Sequence, residues 1–253
     1  MGLTTIRLSL YFLGSARLSR LLFFSVFMED ITREPQYQVL IPLRAAQGLA
    51  RLGLMTSYVW DDDPRRLGFV LARYKFVSKM LSGMRSVLEV GCGDAFGTRI
   101  VLQEVGAVTA IDFDPVFVKE IGERMTDRWK FECKVHDMLS GPLDGPFDAA
   151  YSLDVLEHIP AADEERFVSN IARSLTEQGV LVIGTPSIQS QTYASPQSRE
   201  GHVNCKDHKE LKALMVRHFH NVFIFSMNDE VVHTGFYPMA HYLIALCVGR
   251  KPA

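Results

Sequence analysis

The sequence predicts an α/β domain built on a largely parallel sheet, and three observations carry that prediction. Short apolar runs recur at residues 87–90, 108–111, 131–135, 147–151 and 180–183, and helix-length segments separate them. The first run leads directly into a glycine-rich turn, Gly91-Cys92-Gly93. The 253 residues are 47% hydrophobic and 22% charged, an ordinary globular composition that supports one sizeable core.

Residues 1–27 contain Arg7, Arg17 and Arg20, several serines and no acidic residue. A membrane-spanning helix needs about 20 consecutive apolar residues, and Arg17 and Arg20 interrupt this stretch too early, so no transmembrane span is expected. The readings left are a targeting segment, an amphipathic surface helix, or a translated leader ahead of a start at Met28. Residues 28–83 space their apolar positions by three and four, in "QVLIPLRAAQGLARLGL" and again in "DPRRLGFVLARYKFVSKML". Asp62 or Asp63 before Pro64 starts the second helix and Gly83 stops it. This segment is expected to act as a helical lid. Residues 84–250 hold the alternating strands and helices. Within them "ELKALMVRHF" reads as an amphipathic helix, and runs 221–226 and 240–248 are expected to pair as an antiparallel edge.

Charge and cysteine content narrow the partners. A formal charge of -2 provides no global basic field and argues against a nucleic-acid backbone as partner. Cys92, Cys133, Cys205 and Cys247 form no CxxC pair, which argues against a zinc knuckle or a disulfide framework. A reducing, cytoplasmic compartment is expected, with organellar or membrane-surface placement through residues 1–27 as the alternative. The sequence sets no oligomeric state.

Gly91 and Gly93 let the backbone bend tightly and bring its N–H groups against a ligand, and a helix starting near Ala95 would aim its positive end at the same spot. A nucleoside-like ligand follows. The spacing of Gly91, Gly93 and Gly97 is one residue longer than the dinucleotide fingerprint, which weakens a nicotinamide or flavin dinucleotide. Glu89, inside the strand end, would repel a pyrophosphate but tolerates a ligand that carries an ammonium group.

The run "EVGCGD", Glu89 to Asp94, resembles the first motif of class I S-adenosylmethionine-dependent methyltransferases, [D/E]-x-G-x-G. The resemblance continues in order through "AIDFDP", "KVHDML", "FDAAYSLDVLEHIP" and "GVLVIGTPS", over residues 86–187. It implies a Rossmann-like, seven-stranded mixed sheet, parallel with an antiparallel edge strand, with helices on both faces. It also implies S-adenosyl-L-methionine as cofactor. Gly91, Cys92 and Gly93 would lie along its methionine and ribose portion, with Glu89 steadying the loop and the amino end. Asp112 would take the ribose hydroxyls and Phe113 an adenine face, while Asp137 would accept from the adenine amino group with Met138 beside the ring. Arg73 and Tyr74, in "ARYKF", resemble a pre-motif segment that reaches the cofactor carboxylate in some relatives.

Methyl transfer from a sulfonium is an in-line displacement, so the protein must align an acceptor and, for a hydroxyl, help remove its proton. The candidates are Asp154, Glu157 and His158 in "DVLEHIP", which would share one face if that segment is helical. His202 follows a polar loop, residues 186–201, that reads as acceptor-binding. Tyr193, Phe236 and Tyr237 are candidates for lining an acceptor pocket, although turn packing explains them as well. Two roles stay open. One is a general base at His158 or His202. The other is a divalent metal such as Mg2+, because the D-x-x-E-H segment with a later histidine resembles the metal-binding arrangement of small-RNA 2'-O-methyltransferases and some ubiquinone-pathway O-methyltransferases. His136, His208, His218, His220, His233 and His241 lack ligand spacing and read as helix-face or strand-surface residues.

The fourth strand lacks the (N/D)PP(Y/F) signature of many amino-methyltransferases, which favours an oxygen acceptor. The segments "GHVN" and "GTPS" are most similar to ubiquinone-type and glycan-associated small-molecule methyltransferases. A small-molecule acceptor is expected, a hydroxyl on a sugar, nucleotide-sugar or phenol-like metabolite. The alternatives are an RNA 2'-O-methyltransferase and a non-catalytic, cofactor-binding regulatory subunit.

Overall fold

The computed structural model describes residues 30–252. The expectations about residues 1–27 lie outside the described residues. The chain divides into two compact units, the second beginning at Leu52. In the first, helix α1 (Leu40–Gln47) ends at Gly48, whose φ of +71° closes the last turn, and Arg44 reaches Asp30 at 3.2 Å. The expected continuous helix over residues 38–54 is therefore broken. Glycine at a helix end is a stop as well as a tolerated interior residue, and here it stops.

The second unit contains the sheet. Helices α2 (Leu54–Asp62) and α3 (Arg65–Met80) precede strand β1 (Ser86–Val90). Then follow α4 (Thr98–Leu102), β2 (Ala107–Asp112), α5 (Pro115–Arg124), β3 (Glu132–Val135) and β4 (Phe147–Leu153). The chain continues through α6 (Glu164–Arg173), β5 (Leu175–Pro186), α7 (Pro196–Gly201), α8 (His208–His218), β6 (Phe219–Asn228), β7 (Val231–His233) and β8 (Tyr242–Arg250). Helix α3 begins at Arg65 after Pro64, and Asp63 pairs with the Arg65 guanidinium at 2.9 Å rather than capping the helix. Helix α8 carries a reciprocal cap, Asp207 accepting from the Glu210 N–H and Glu210 from the Asp207 N–H, the signature of a sharply started helix.

Among the described residues the strands form one sheet in the order β3-β2-β1-β4-β5-β8-β6-β7. Strands β1 to β5 are mutually parallel, and β8, β6 and β7 are antiparallel to their neighbours. This is the expected mixed sheet with one strand more. Asp229, at φ +50°, and Glu230 turn the chain back on itself and add β7 to the edge. Runs 221–226 and 240–248 do pair, yet they are not the edge: β8 sits between β5 and β6. Strand order depends on long-range packing, which periodicity does not encode.

Alternation along each strand divides the core between two faces. Leu88, Ile111, Leu181 and Ile183 point to the side covered by Phe167 and Ile171 of α6 and Leu214 of α8. Val87, Val108, Tyr151 and Val182 point to the side covered by Val77 of α3, by Leu81 just beyond its end and by Val101 of α4. Each such side chain, fully buried, contributes about 1.5–3 kcal/mol. The order reverses between β1 and β4, and at such a switch point the carboxyl ends of the strands open a crevice. Among the described residues no helix is long and apolar enough to cross a membrane.

Candidate active site

The crevice is a cavity of about 1280 Å³, lined by the ends of β1, β2 and β4, by α2 and α3, and by the segment after β5. Single-ligand pockets run to roughly 300–1,000 Å³, so this one has room for a nucleoside and a second molecule. Its floor is the glycine turn. Gly91 has φ +73°, and a Cβ there would stand 2.4 Å from Val155, so only glycine serves. Gly93, at φ +52°, turns its N–H to Asp112 Oδ2 at 2.9 Å. The turn is longer than expected: Ala95 has φ +50° and α4 starts at Thr98.

The strand-end acids divide into two kinds. Glu89 is buried behind the turn and is absent from the cavity wall; its oxygens accept from Tyr74 Oη at 2.9 Å and Thr98 Oγ1 at 2.6 Å. Burial pushes its pKa up to about 7, against the lowering effect of those hydroxyls. Asp112, Phe113, Asp137 and Met138 do line the cavity, as do Cys92 and Tyr74. Asp112 accepts from Gly93 N and, at 2.9 Å, from Asp114 N, leaving an acceptor position on each oxygen. Asp137 Oδ1 accepts from Leu139 N at 2.8 Å, and Phe113 is 74% exposed, a ring face open to the cavity.

A carboxylate that the motifs passed over connects this floor to helix α2. Asp94, buried, accepts from the Thr56 N–H at 2.7 Å and the Thr56 hydroxyl at 3.2 Å, so the glycine turn caps α2 from outside the helix. Met55 of α2 consequently lies over Gly93. Gly53 is the N-cap of α2, and its Cβ position falls within 2.3 Å of the Asp94 side chain, so no larger residue fits there.

The far end of the cavity gathers the acceptor-side candidates. The segment after β4 is a single 3-10 turn, Leu156–His158, and not the helix whose one face would carry all of Asp154, Glu157 and His158. Asp154 precedes it at φ +58°, a left-handed conformation that Asp tolerates better than most residues. Both Asp154 oxygens accept from Arg73 Nη1 at 2.7 Å, and the Arg73 guanidinium lies 3.8 Å from the centroid of the Tyr242 ring. Asp154 and Arg73 therefore serve each other first.

Glu157, His158 and His202 come together. One carboxylate oxygen and one nitrogen from each ring lie within 4.8 Å of one another, and the rings meet edge to face at 5.2 Å. Glu157 Oε2 accepts from Thr185 Oγ1 at 3.2 Å, whereas Oε1 is buried with no hydrogen-bond partner. Burial, and then the nearby Asp154 charge, raise the Glu157 pKa to about 8. His158 Nδ1 lies 2.9 Å from the Gly201 carbonyl, which can only accept, so Nδ1 donates. His202 is half-buried; burial, then His158, lower its pKa and favour the neutral ring.

Tyr193 lines the cavity, while Phe236 and Tyr237 do not; Tyr237 stacks on His208 at 4.3 Å. His136 and His241, read from sequence as surface residues, are on the cavity wall. Gln191, 2.8 Å from His202 Nδ1, was not legible beforehand, because only the fold brings positions 191 and 202 side by side.

Comparison with known proteins agrees with this geometry. A family profile described as "Methyltransferase domain" matches residues 88–183. A probable S-adenosylmethionine-dependent methyltransferase of Mycobacterium tuberculosis is 32% identical over 104 residues, 41% of this chain and 36% of that protein. A ubiquinone biosynthesis O-methyltransferase of Xanthomonas oryzae pv. oryzae is 29% identical over 150 residues, 54% of this chain and 59% of that one. The chain thus matches less than two thirds of the length of these relatives. Among solved structures, the N-methyltransferase NodS from Bradyrhizobium japonicum in complex with S-adenosyl-l-homocysteine superposes with a TM-score of 0.54 at 20% identity, covering 78% of this chain and 93% of that one. The methyltransferase domain of bacterial CtHen1-C gives 0.59 at 13% identity, covering 72% and 99%. In its strand order, its switch-point cavity and the segment matched, residues 88–183, the chain is similar to class I S-adenosylmethionine-dependent methyltransferases.

Proposed function

We propose that the protein transfers a methyl group from S-adenosylmethionine to a hydroxyl of a small molecule. The observation that carries this reading is the pairing, in one cavity, of the glycine turn and Asp112 with the Glu157, His158 and His202 cluster. S-Adenosylmethionine supplies an electrophilic methyl on a sulfonium. The chain's residues do the rest. Gly91, Cys92 and Gly93 present backbone to the ligand, Asp112 offers free acceptor positions to a diol, and Phe113 with Met138 flanks a flat ring. Glu89 acts from behind, holding the turn through Thr98 and Tyr74. Lid helices α2 and α3 exclude water above it.

On the acceptor side, His158 and His202 serve as proton acceptors through Nε2, within reach of the hydroxyl that must lose its proton. Such a base contributes roughly 10²–10⁴-fold. A second reading is favoured by Glu157 Oε1, a buried acceptor with no donor. Its own proton, a water molecule or a cation satisfies such an oxygen. Glu157, His158 and His202 are the residues that would hold a divalent ion such as Mg2+, which would supply charge to lower the acceptor's pKa. Asp154, paired with Arg73, is not among the three.

A labelled-methyl screen against fractionated metabolites tests the proposal. His202→Ala should lower turnover by 10²-fold or more with cofactor affinity unchanged. Equal loss of both would sink the acceptor-side role. A rate untouched by chelator removes the cation reading, and tight cofactor binding with no turnover across all fractions favours a regulatory subunit.

A further inference from the structure

We infer that Gln191 is a positioning residue that decides which nitrogen of His202 carries the ring proton. The inference rests on the acceptor-side reading of His202. It follows from what each atom can do. Gln191 Nε2 lies 3.2 Å from the Ser187 carbonyl oxygen and 3.3 Å from Ser190 Oγ. A carbonyl only accepts, so the amide nitrogen must face Ser187 and the amide oxygen must face His202. That oxygen stands 2.8 Å from His202 Nδ1. An amide oxygen cannot donate, so Nδ1 is the protonated nitrogen and Nε2 keeps the lone pair.

The orientation is anchored in the sheet. Ser187 follows β5 directly, its hydroxyl donates to the Ala240 carbonyl at 2.5 Å, and its N–H donates to the His241 carbonyl at 3.1 Å. The Ser187 carbonyl is thereby a fixed reference point for the Gln191 amide. His158 receives the same instruction from the Gly201 backbone, which no side-chain change removes. His202 receives it from a side chain. The two rings therefore present the same kind of nitrogen for different reasons, and only one of them can be altered by substitution.

The test is the tautomer itself, read on the full-length chain with 15N-labelled histidine by long-range 1H–15N correlation at pH 8. The wild type should show His202 with a protonated Nδ1 and a pyridine-type Nε2. Gln191→Ala should erase that pyridine-type Nε2 signal, because a released imidazole prefers its proton on Nε2. Gln191→Glu, which can also accept from Nδ1, should restore it. The His158 signals should stay unchanged throughout and show that the fold survives. A wild-type His202 protonated on Nε2, or a tautomer indifferent to Gln191→Ala, overturns the inference. If instead the tautomer behaves as described while His202→Ala transfers methyl groups normally, the acceptor-side reading fails and the assignment of Gln191 stands.

Discussion

At the scale of single residues, Gly93 and Glu89 hold the glycine turn in two different ways, one through backbone conformation and one through buried hydrogen bonds. Gly93 combines a positive φ with an N–H committed to Asp112. Gly93→Arg should abolish cofactor binding, since a side chain there both strains the turn and fills the ligand's space; unchanged affinity by calorimetry would misplace the loop. Glu89 makes a statement about pH. Its folded pKa of about 7 lies above the unfolded value of 4.5, so the fold favours the protonated form. The stability this provides is complete below pH 4.5 and is lost as pH rises through 7. Glu89→Gln should flatten that slope, gaining on the order of 3 kcal/mol relative to the wild type between pH 4.5 and 8. Urea unfolding at four pH values checks it, and parallel curves would mean that Glu89 is ionised in the fold. The glycines and strand-end acids were legible in the sequence because they act locally, each at the tip of its own strand. The partners of Asp94, Asp154 and His202 were not. Those bonds span 38, 81 and 11 positions, and only the closed fold brings their ends together.

At the scale of elements, strands β1, β2, β4 and β5 were readable as apolar runs because both their faces are buried. The helices were harder. Periodicity ran straight through Gly48 and predicted one helix where α1 ends. Helix α2 has weak local signals, since its N-cap is Gly53 and the carboxylate that satisfies its first turn comes from the glycine loop. Removing that cap with Asp94→Ala should cost about 1–2 kcal/mol. Hydrogen exchange across residues 54–62 should then speed up while β1 and β4 stay protected. Exchange unchanged in α2 would mean that its packing alone holds it.

At the scale of the whole molecule, the parallel half of the sheet was predictable from the alternation of runs, and the position of β8 was not. Inserting β8 beside β5 requires knowing that β5 is 12 residues long and has an open side to fill. The second unit contains the entire sheet, both faces of the core and the cavity. A chain that begins at Leu52 should therefore unfold cooperatively, with a Tm within a few degrees of the full chain. A broad, non-cooperative transition would show that the preceding residues complete the core.

Because Asp94 belongs to the floor of the cavity yet terminates a helix in its roof, hinge and doorstep are one piece. Any movement of α2 away from the cavity floor would have to break the bond from the Thr56 N–H to Asp94, so a ligand exchanging by that route would leave Asp94→Ala faster than the wild type. Stopped-flow release of a bound cofactor analogue from the two proteins checks it, and equal rates would mean that ligands pass without moving α2.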